Sequence, residues 1–202
     1  NTLMRSQNGY NGYNTDIKGL ELAIKNNGLS VNEKNVIILG AGGAAKAALY
    51  LAVDERAKSI TIINRDLKKA EGLKKEIDKI HTKVKAISLD SLKSDLEVLE
   101  FNDYFVFQTT NVGMHPFVND CIIVDEKFYK KCSEGIDLIY TPQNTAFIKN
   151  MRAEGKKCIN GLDMLIMQGV AAFELWNDVR VSEEIIAYVK DILLKRLSED
   201  IK

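Results

Sequence analysis

The chain has 202 residues and 46% apolar content, enough for one sizeable core in a single globular domain. Lys plus Arg and Asp plus Glu both number 28, so the formal net charge is zero and neither nucleic acid nor an anionic membrane is an expected partner. Three widely spaced cysteines, Cys121, Cys132 and Cys158, without any CxxC pairing argue against a disulfide framework and a zinc site; no metal is expected, and a reducing cytoplasm is the expected location.

The opening, NTLMRSQNGYNGYNTD, is too polar for a signal peptide, and Asn1 is expected to be frayed. A helix is predicted over 16–26, with Thr15 as its cap and Asn27-Gly28 as its stop. β-type runs follow at 35–39 (NVIIL), 59–63 (SITII), 84–89, 104–107 and 135–140. Helices are predicted between and after them at 43–53, 67–80, 145–154, 161–176 and 183–198. This alternation is the signature of a parallel sheet with helices on both faces. The expected fold class is therefore α/β, a Rossmann-like doubly wound parallel sheet with flanking helices, forming one domain over 1–202. About the first 30 residues are expected to be a linking helix. Residues 182–202 are expected to be a bracing helix, capped by Ser182 and buried through Ile185, Val189, Ile192 and Leu193.

Between the first strand of that sheet and its helix stands Gly40-Ala41-Gly42-Gly43-Ala44-Ala45, which fits G-x-G-x-x-A in its strand–loop–helix context. Gly40 permits the tight turn, Gly42 lets the backbone approach a pyrophosphate, and Ala45 keeps the helix close to the strand, leaving loop N–H groups aimed at phosphate. The pattern alone is weak, since S-adenosylmethionine and flavin sites and ordinary corners use glycine turns too. A site for NAD places an acid about 20 residues on, but here Asn64-Arg65 stands there. A guanidinium pairs bidentately with a 2′-phosphate, so NADP is the expected cofactor, with Lys68 and Lys69 adding positive charge. Asp66, one position further, keeps NAD open.

Other residues are less specific on their own. Asp16 in the first turn of a helix reads as a carboxylate on the helix dipole. Gln168 is a lone amide on the helix side shared with Met164 and Ala171, away from the apolar face of Leu162, Leu165, Ile166, Gly169 and Phe173. Tyr140 ends a strand where open sheets bind ligands. Met114 and Met164 fit core filler equally well, and the isolated His81 and His115 read as solvated loop residues.

Taken together, these segments resemble the shikimate dehydrogenase family. Asn1-Thr2 is similar to the end of its G-A-x-N-T, and Gly12-Tyr13-Asn14-Thr15-Asp16 with Gly19 to its G-x-N-T-D-x-x-G. Thr109-Thr110-Asn111-Val112-Gly113-Met114 resembles its loop ending in G-M, with Gln108 where Asn is usual and Asn111 where Pro is frequent. Asp137, Tyr140, Pro142 and Thr145 match D-x-x-Y-x-P-x-x-T, and Gly161, Met164, Leu165 and Gln168 match G-x-x-M-L-x-x-Q. The resemblance implies reversible reduction of 3-dehydroshikimate to shikimate with NADPH, on the route to chorismate and the aromatic amino acids. It makes Asp16 catalytic, Asn1, Asp16, Tyr140 and Gln168 substrate-binding, and Thr110, Val112, Gly113, Met114, Gly161 and Met164 cofactor-binding. Its catalytic lysine belongs to a V-P-x-K motif in an N-terminal substrate lobe. That motif does not occur in this sequence, so the chain is expected to be the cofactor lobe and inactive alone. A small-molecule partner follows, with a homodimer left open. An NAD-preferring quinate/shikimate dehydrogenase and a non-catalytic nucleotide-binding regulatory module are the alternatives.

Overall fold

The central strand NVIIL is apolar throughout because both faces of it are covered. In the computed structural model, which describes residues 1–77 and 82–199, it is β3 (Asn35–Leu39), buried at every position. It belongs to a six-stranded parallel sheet with β4 (Ser59–Asn64), β5 (Lys83–Ser88), β6 (Tyr104–Gln108), β7 (Cys132–Asp137) and β8 (Lys157–Asn160), in the order β5-β4-β3-β6-β7-β8. Alternate side chains sort to two cores. Val36 and Ile38 face one with α1 (Thr15–Asn26), α2 (Gly43–Asp54) and α3 (Leu67–Lys75). Ile37 and Leu39 face the other with α4 (Leu89–Ser94), α5 (Glu126–Lys130) and α6 (Ala146–Ala153). Helices on both faces make the sheet doubly wound, as expected.

Two elements differ from the expected linking segment at the start of the chain. Residues before α1 form an antiparallel hairpin of β1 (Thr2–Ser6) and β2 (Gly9–Tyr13), turned at Gln7-Asn8. Asn1 is not frayed: its Oδ1 accepts the Thr15 N–H at 2.9 Å and its ammonium donates to Tyr13 O. The cap of α1 is Asn14 rather than Thr15, its side chain accepting from the Asp16 N–H. The strand expected to end at Tyr140 stops at Asp137, and β8, α4 and α5 are additional. The predicted end of the third helix at 78–80, His81 and residues 200–202 lie outside the described residues.

Two long helices close one flank. α7 (Leu162–Asn177) and α1 run antiparallel, joined at one end by Asn27 Nδ2 donating to Asp163 Oδ2 at 2.8 Å. They touch backbone to backbone at Gly19. α8 (Glu183–Glu199) packs on α7 through Ile186, Leu193, Leu194 and Leu197, against Leu162, Ile166 and Met167. The expected stripe is therefore rotated: Leu193 is in it, but Ile185 (55% exposed), Val189 and Ile192 face outward, because α8 meets one neighbour along a single seam. α7 is rotated likewise, with Met164 buried and Phe173 exposed.

A β-carbon at Gly19 would lie 2.8 Å from both Gln168 N and Met164 O, atoms of a helix backbone that has no side-chain rotamer with which to yield. Gly19→Ala is therefore expected to destabilise the chain by about 1–3 kcal/mol in urea unfolding, the usual range for overpacking. A change below about 0.5 kcal/mol, typical of a surface site, would mean that the helices do not cross there.

Candidate functional site

The sheet order puts β3 beside β6, and the chain leaves them toward opposite faces, opening a crevice at their C-terminal ends where doubly wound sheets bind ligands. The two strand ends are stitched together. Leu39 O accepts from Thr109 N at 3.0 Å and from Thr109 Oγ1 at 2.7 Å, while Gly40 N donates to Ile63 O at 2.8 Å. Glycine at position 40 is required twice over: its φ is +115°, and a β-carbon would meet Thr109 Oγ1 at 2.6 Å. Gly42 caps α2 without a side-chain acceptor, and no acid stands in the first turn, so the leading N–H groups of that helix are available to a ligand. β-carbons built at Gly42 and Gly43 meet nothing within 4 Å. An open cradle of backbone donors at a helix N-terminus fits a pyrophosphate.

The cradle is one end of a cleft of about 510 Å³. Of the expected nucleotide residues, Gly40, Ala41, Gly42, Asn64, Arg65, Thr110 and Val112 line it. Gly43 and Ala44 lie behind the loop in the first turn of α2. Lys68 is exposed on α3 and does not line the cleft. Nor do Gly113, whose φ of +102° turns the loop away, or the exposed Met114. Gly161 caps α7 with its α-carbon against the Leu138 backbone, and Met164 is core. Thr109, Asn111, Leu89, Lys93, Cys121 and Ile122, to which sequence reasoning gave no site role, complete the lining. Only the Leu89–Lys93 spacing, one helical turn after a strand, carried a signal. Asp66 has a structural role, its Oδ1 capping α3 by accepting the Lys68 N–H at 3.0 Å.

The loop after β6 is held from beneath by three buried polar side chains. Gln108, fully buried, accepts the Thr110 N–H through Oε1 at 2.6 Å, while its Nε2 faces Thr110 O, Val112 O and Asp137 Oδ1, each at 3.3 Å. Asp137 also accepts from Ile139 N at 3.0 Å and from Thr145 Oγ1 at 2.6 Å. Gln108 thus spans a reach at the strand end that a shorter amide does not have. Burial pushes the Asp137 carboxyl up to about 6, against the opposing pull of the bonds from Thr145, Ile139 and Gln108.

The remaining expected residues gather elsewhere. Asp16 and Gln168 stand on adjoining turns of α1 and α7 around the Gly19 contact, and Tyr140 follows β7 two residues beyond Leu138, on which Gly161 rests. Among the described residues, the Asp16 carboxylate, the Gln168 amide and the Tyr140 hydroxyl have no hydrogen-bond or ion-pair partner. Asn1 is linked to this region through Thr15. A larger cleft of about 760 Å³ opens beside the hairpin, lined by Arg5, Thr15, Lys18, Glu174 and Trp176 among others. Of its charged groups, Lys18 pairs with Glu21, and Glu174 with Arg180 and the Val181 N–H, while the Arg5 and Asp178 side chains have no hydrogen-bond or ion-pair partner among the described residues. The smaller crevice joins the unpaired Arg65 guanidinium to a helix start that no side chain caps, whereas the helix starting at the larger cleft is capped by Asn14, so the smaller one is the better nucleotide site.

Comparison with known proteins agrees with this geometry. A family model described as shikimate/quinate 5-dehydrogenase matches residues 21–113, and one described as the shikimate 5′-dehydrogenase C-terminal domain matches residues 161–187. The chain is 35% identical over 201 residues to the NADP(+) shikimate dehydrogenase of Alkaliphilus oremlandii, covering 97% of this chain and 68% of that protein. It is similar to the crystal structure of a chorismate mutase/shikimate 5-dehydrogenase fusion protein from Clostridium acetobutylicum, with a TM-score of 0.84, 33% identity, and coverage of 98% and 68%. It also resembles shikimate 5-dehydrogenase from Listeria monocytogenes in complex with shikimate and NAD, with a TM-score of 0.81, 27% identity, and coverage of 95% and 66%. The chain thus spans about two thirds of the length of each.

A carboxyl raised in the folded state binds its proton more tightly than in the unfolded chain, so Asp137 stabilises the fold at low pH and loses that contribution as pH rises from 3.8 through about 6. The unfolding free energy of the wild type minus that of Asp137→Asn is expected to fall between pH 4 and 7, by on the order of 3 kcal/mol. A difference that stays flat over this window would show that the carboxyl titrates normally.

Proposed function

The chain belongs to the shikimate/quinate dehydrogenase family, and on that premise we propose that it is the cofactor-binding part of an NADP-dependent shikimate dehydrogenase. The reaction is the reversible reduction of 3-dehydroshikimate to shikimate, on the route to chorismate and the aromatic amino acids. One observation carries the reading: the crevice between β3 and β6 combines an open glycine cradle with Arg65, a guanidinium that has no ion pair among the described residues.

In this reading the N–H groups of the loop from Gly40 to Ala44 hold the pyrophosphate. Arg65 pairs with the 2′-phosphate of the adenosine end. Thr110 and Val112, fixed by Gln108, border the nicotinamide end, with Gly113 and Met114 continuing the loop and Gly161 and Met164 backing it. A cofactor held there would supply the redox chemistry, its oxidised form accepting the hydride and its reduced form, NADPH, donating it. Asp16 is this chain's part in the proton transfer. Its free carboxylate holds a substrate hydroxyl and stabilises the charge of the lysine that the family carries in V-P-x-K. The Gln168 amide and Tyr140 hydroxyl donate to substrate oxygens, and Asn1, whose Oδ1 is committed to Thr15, offers its Nδ2. Asp66 would favour NAD if it turned to the ribose, but its cap on α3 weakens that alternative.

Calorimetric titration with NADP and with NAD tests the assignment. The wild-type chain is expected to prefer NADP, and Arg65→Ala to weaken NADP by roughly tenfold or more while changing NAD by less than about twofold, as for a charge-assisted bidentate contact. Equal loss of both nucleotides, or a wild type that prefers NAD, would contradict it.

A further inference from the structure

We propose that Lys93 is a second cationic anchor for the 2′-phosphate, acting with Arg65 across the adenosine end of the cleft and determining the preference for NADP over NAD. The proposal rests on the reading of this cleft as an NADP site. A 2′-phosphate carries close to two negative charges at neutral pH. Arg65 supplies one positive charge, Asn64 none, and the exposed Asp66 subtracts from the local potential even while it caps α3. One further cation is needed for charge balance.

The sequence offers Lys68 and Lys69 beside Arg65, and the structure brings in a third lysine from far along the chain. Lys68 and Lys69 stand on the first turn of α3, and neither lines the cleft. Lys93 does line it. Its position follows from strand register: β4 and β5 pair in parallel with Asn64 opposite Ser88, so the chain leaves both strands side by side, one toward Arg65 and the other into α4. Leu89 opens that helix, and Lys93, four residues on, falls on the same side one turn outward. Leu89 is therefore the apolar floor under the base, with Arg65 and Lys93 as charged rims. Lys93 has no ion pair among the described residues, although Asp90 stands three positions earlier on α4. Every ammonium–carboxylate pair of the described residues lies outside this cleft. An unneutralised lysine and an unneutralised arginine bordering one cleft fit a dianion better than they fit each other.

The test is calorimetric titration of wild type, Lys93→Ala, Lys93→Arg and Lys68→Ala with NADP and with NAD at one ionic strength. Lys93→Ala is expected to weaken NADP by roughly three- to tenfold, the range for one partly solvated charge-assisted contact, with NAD within about twofold. Lys93→Arg should recover most of the NADP affinity, and Lys68→Ala should keep it within about twofold. Unchanged NADP binding in Lys93→Ala overturns the proposal. So does equal weakening of NADP and NAD, which marks a wall residue, or equal weakening by both lysine removals, which marks a diffuse field. A wild type that binds neither nucleotide fails the cofactor reading itself, and is distinguishable because it fails before any lysine is changed.

Discussion

The carbonyl of Leu39 accepts two hydrogen bonds from Thr109, one from its N–H and one from its hydroxyl, and this junction ties the ends of β3 and β6 at the point where the sheet's connections diverge. Much else in the crevice depends on it. With Thr109 pinned there, no side chain fits at position 40, the chain must turn with positive φ, and α2 starts with its N–H groups uncovered. The same pin starts the loop that carries Thr110 and Val112 along the opposite wall. The glycine pattern is thus half of a two-part device, and the other half is a threonine far along the chain, at the end of β6.

The charges around the crevice divide by depth. At the rim stand Arg65 and Lys93, with which no carboxylate of the described residues pairs. A ligand phosphate can therefore take them without breaking an existing bond. Below the loop, Asp137 is held as a buried acceptor by Thr145, Ile139 and Gln108, at a desolvation cost that its raised carboxyl reflects. Its contribution is geometric: the network fixes Gln108, and Gln108 fixes the backbone of Thr110 and Val112. The groups proposed for the substrate side form a third set, with Asp16 and Gln168 brought onto adjoining turns by the bare backbone of Gly19.

The sheet was legible because its strands are short apolar runs separated by helical periods, and the parallel arrangement follows once the two alternate. The hairpin was harder to read. Its strands are polar and mostly exposed, so no core pattern marks them, and Asn8-Gly9 beside the turn was the available sign. β8, of four residues, is shorter than the runs that periodicity resolves. At the site, the glycine cradle and Arg65 were readable because local chemistry determines them. Thr109, Leu89 and Lys93 were not, since their importance arises from strand register between segments far apart in sequence. Lys68 was expected at the site from its charge and its nearness to Arg65 in sequence, but it stands exposed on α3 and does not line the cleft. The outward turn of Ile185, Val189 and Ile192 has the same origin: an amphipathic helix reports that it has an apolar stripe, while its neighbour selects the seam.

Nucleotide is assigned to the crevice between β3 and β6 rather than to the larger cleft beside the hairpin, and every role given to Arg65, Lys93 and the loop after β6 depends on that choice. Backbone amide shifts of the isotopically labelled chain, followed by nuclear magnetic resonance during titration with NADP, test it most directly. The largest changes are expected at Ala41, Gly42, Gly43, Ala44 and Arg65 and along Thr110 to Val112, with Arg5, Lys18 and Trp176 unmoved. Changes concentrated at those last three residues, with the glycine loop silent, would contradict it.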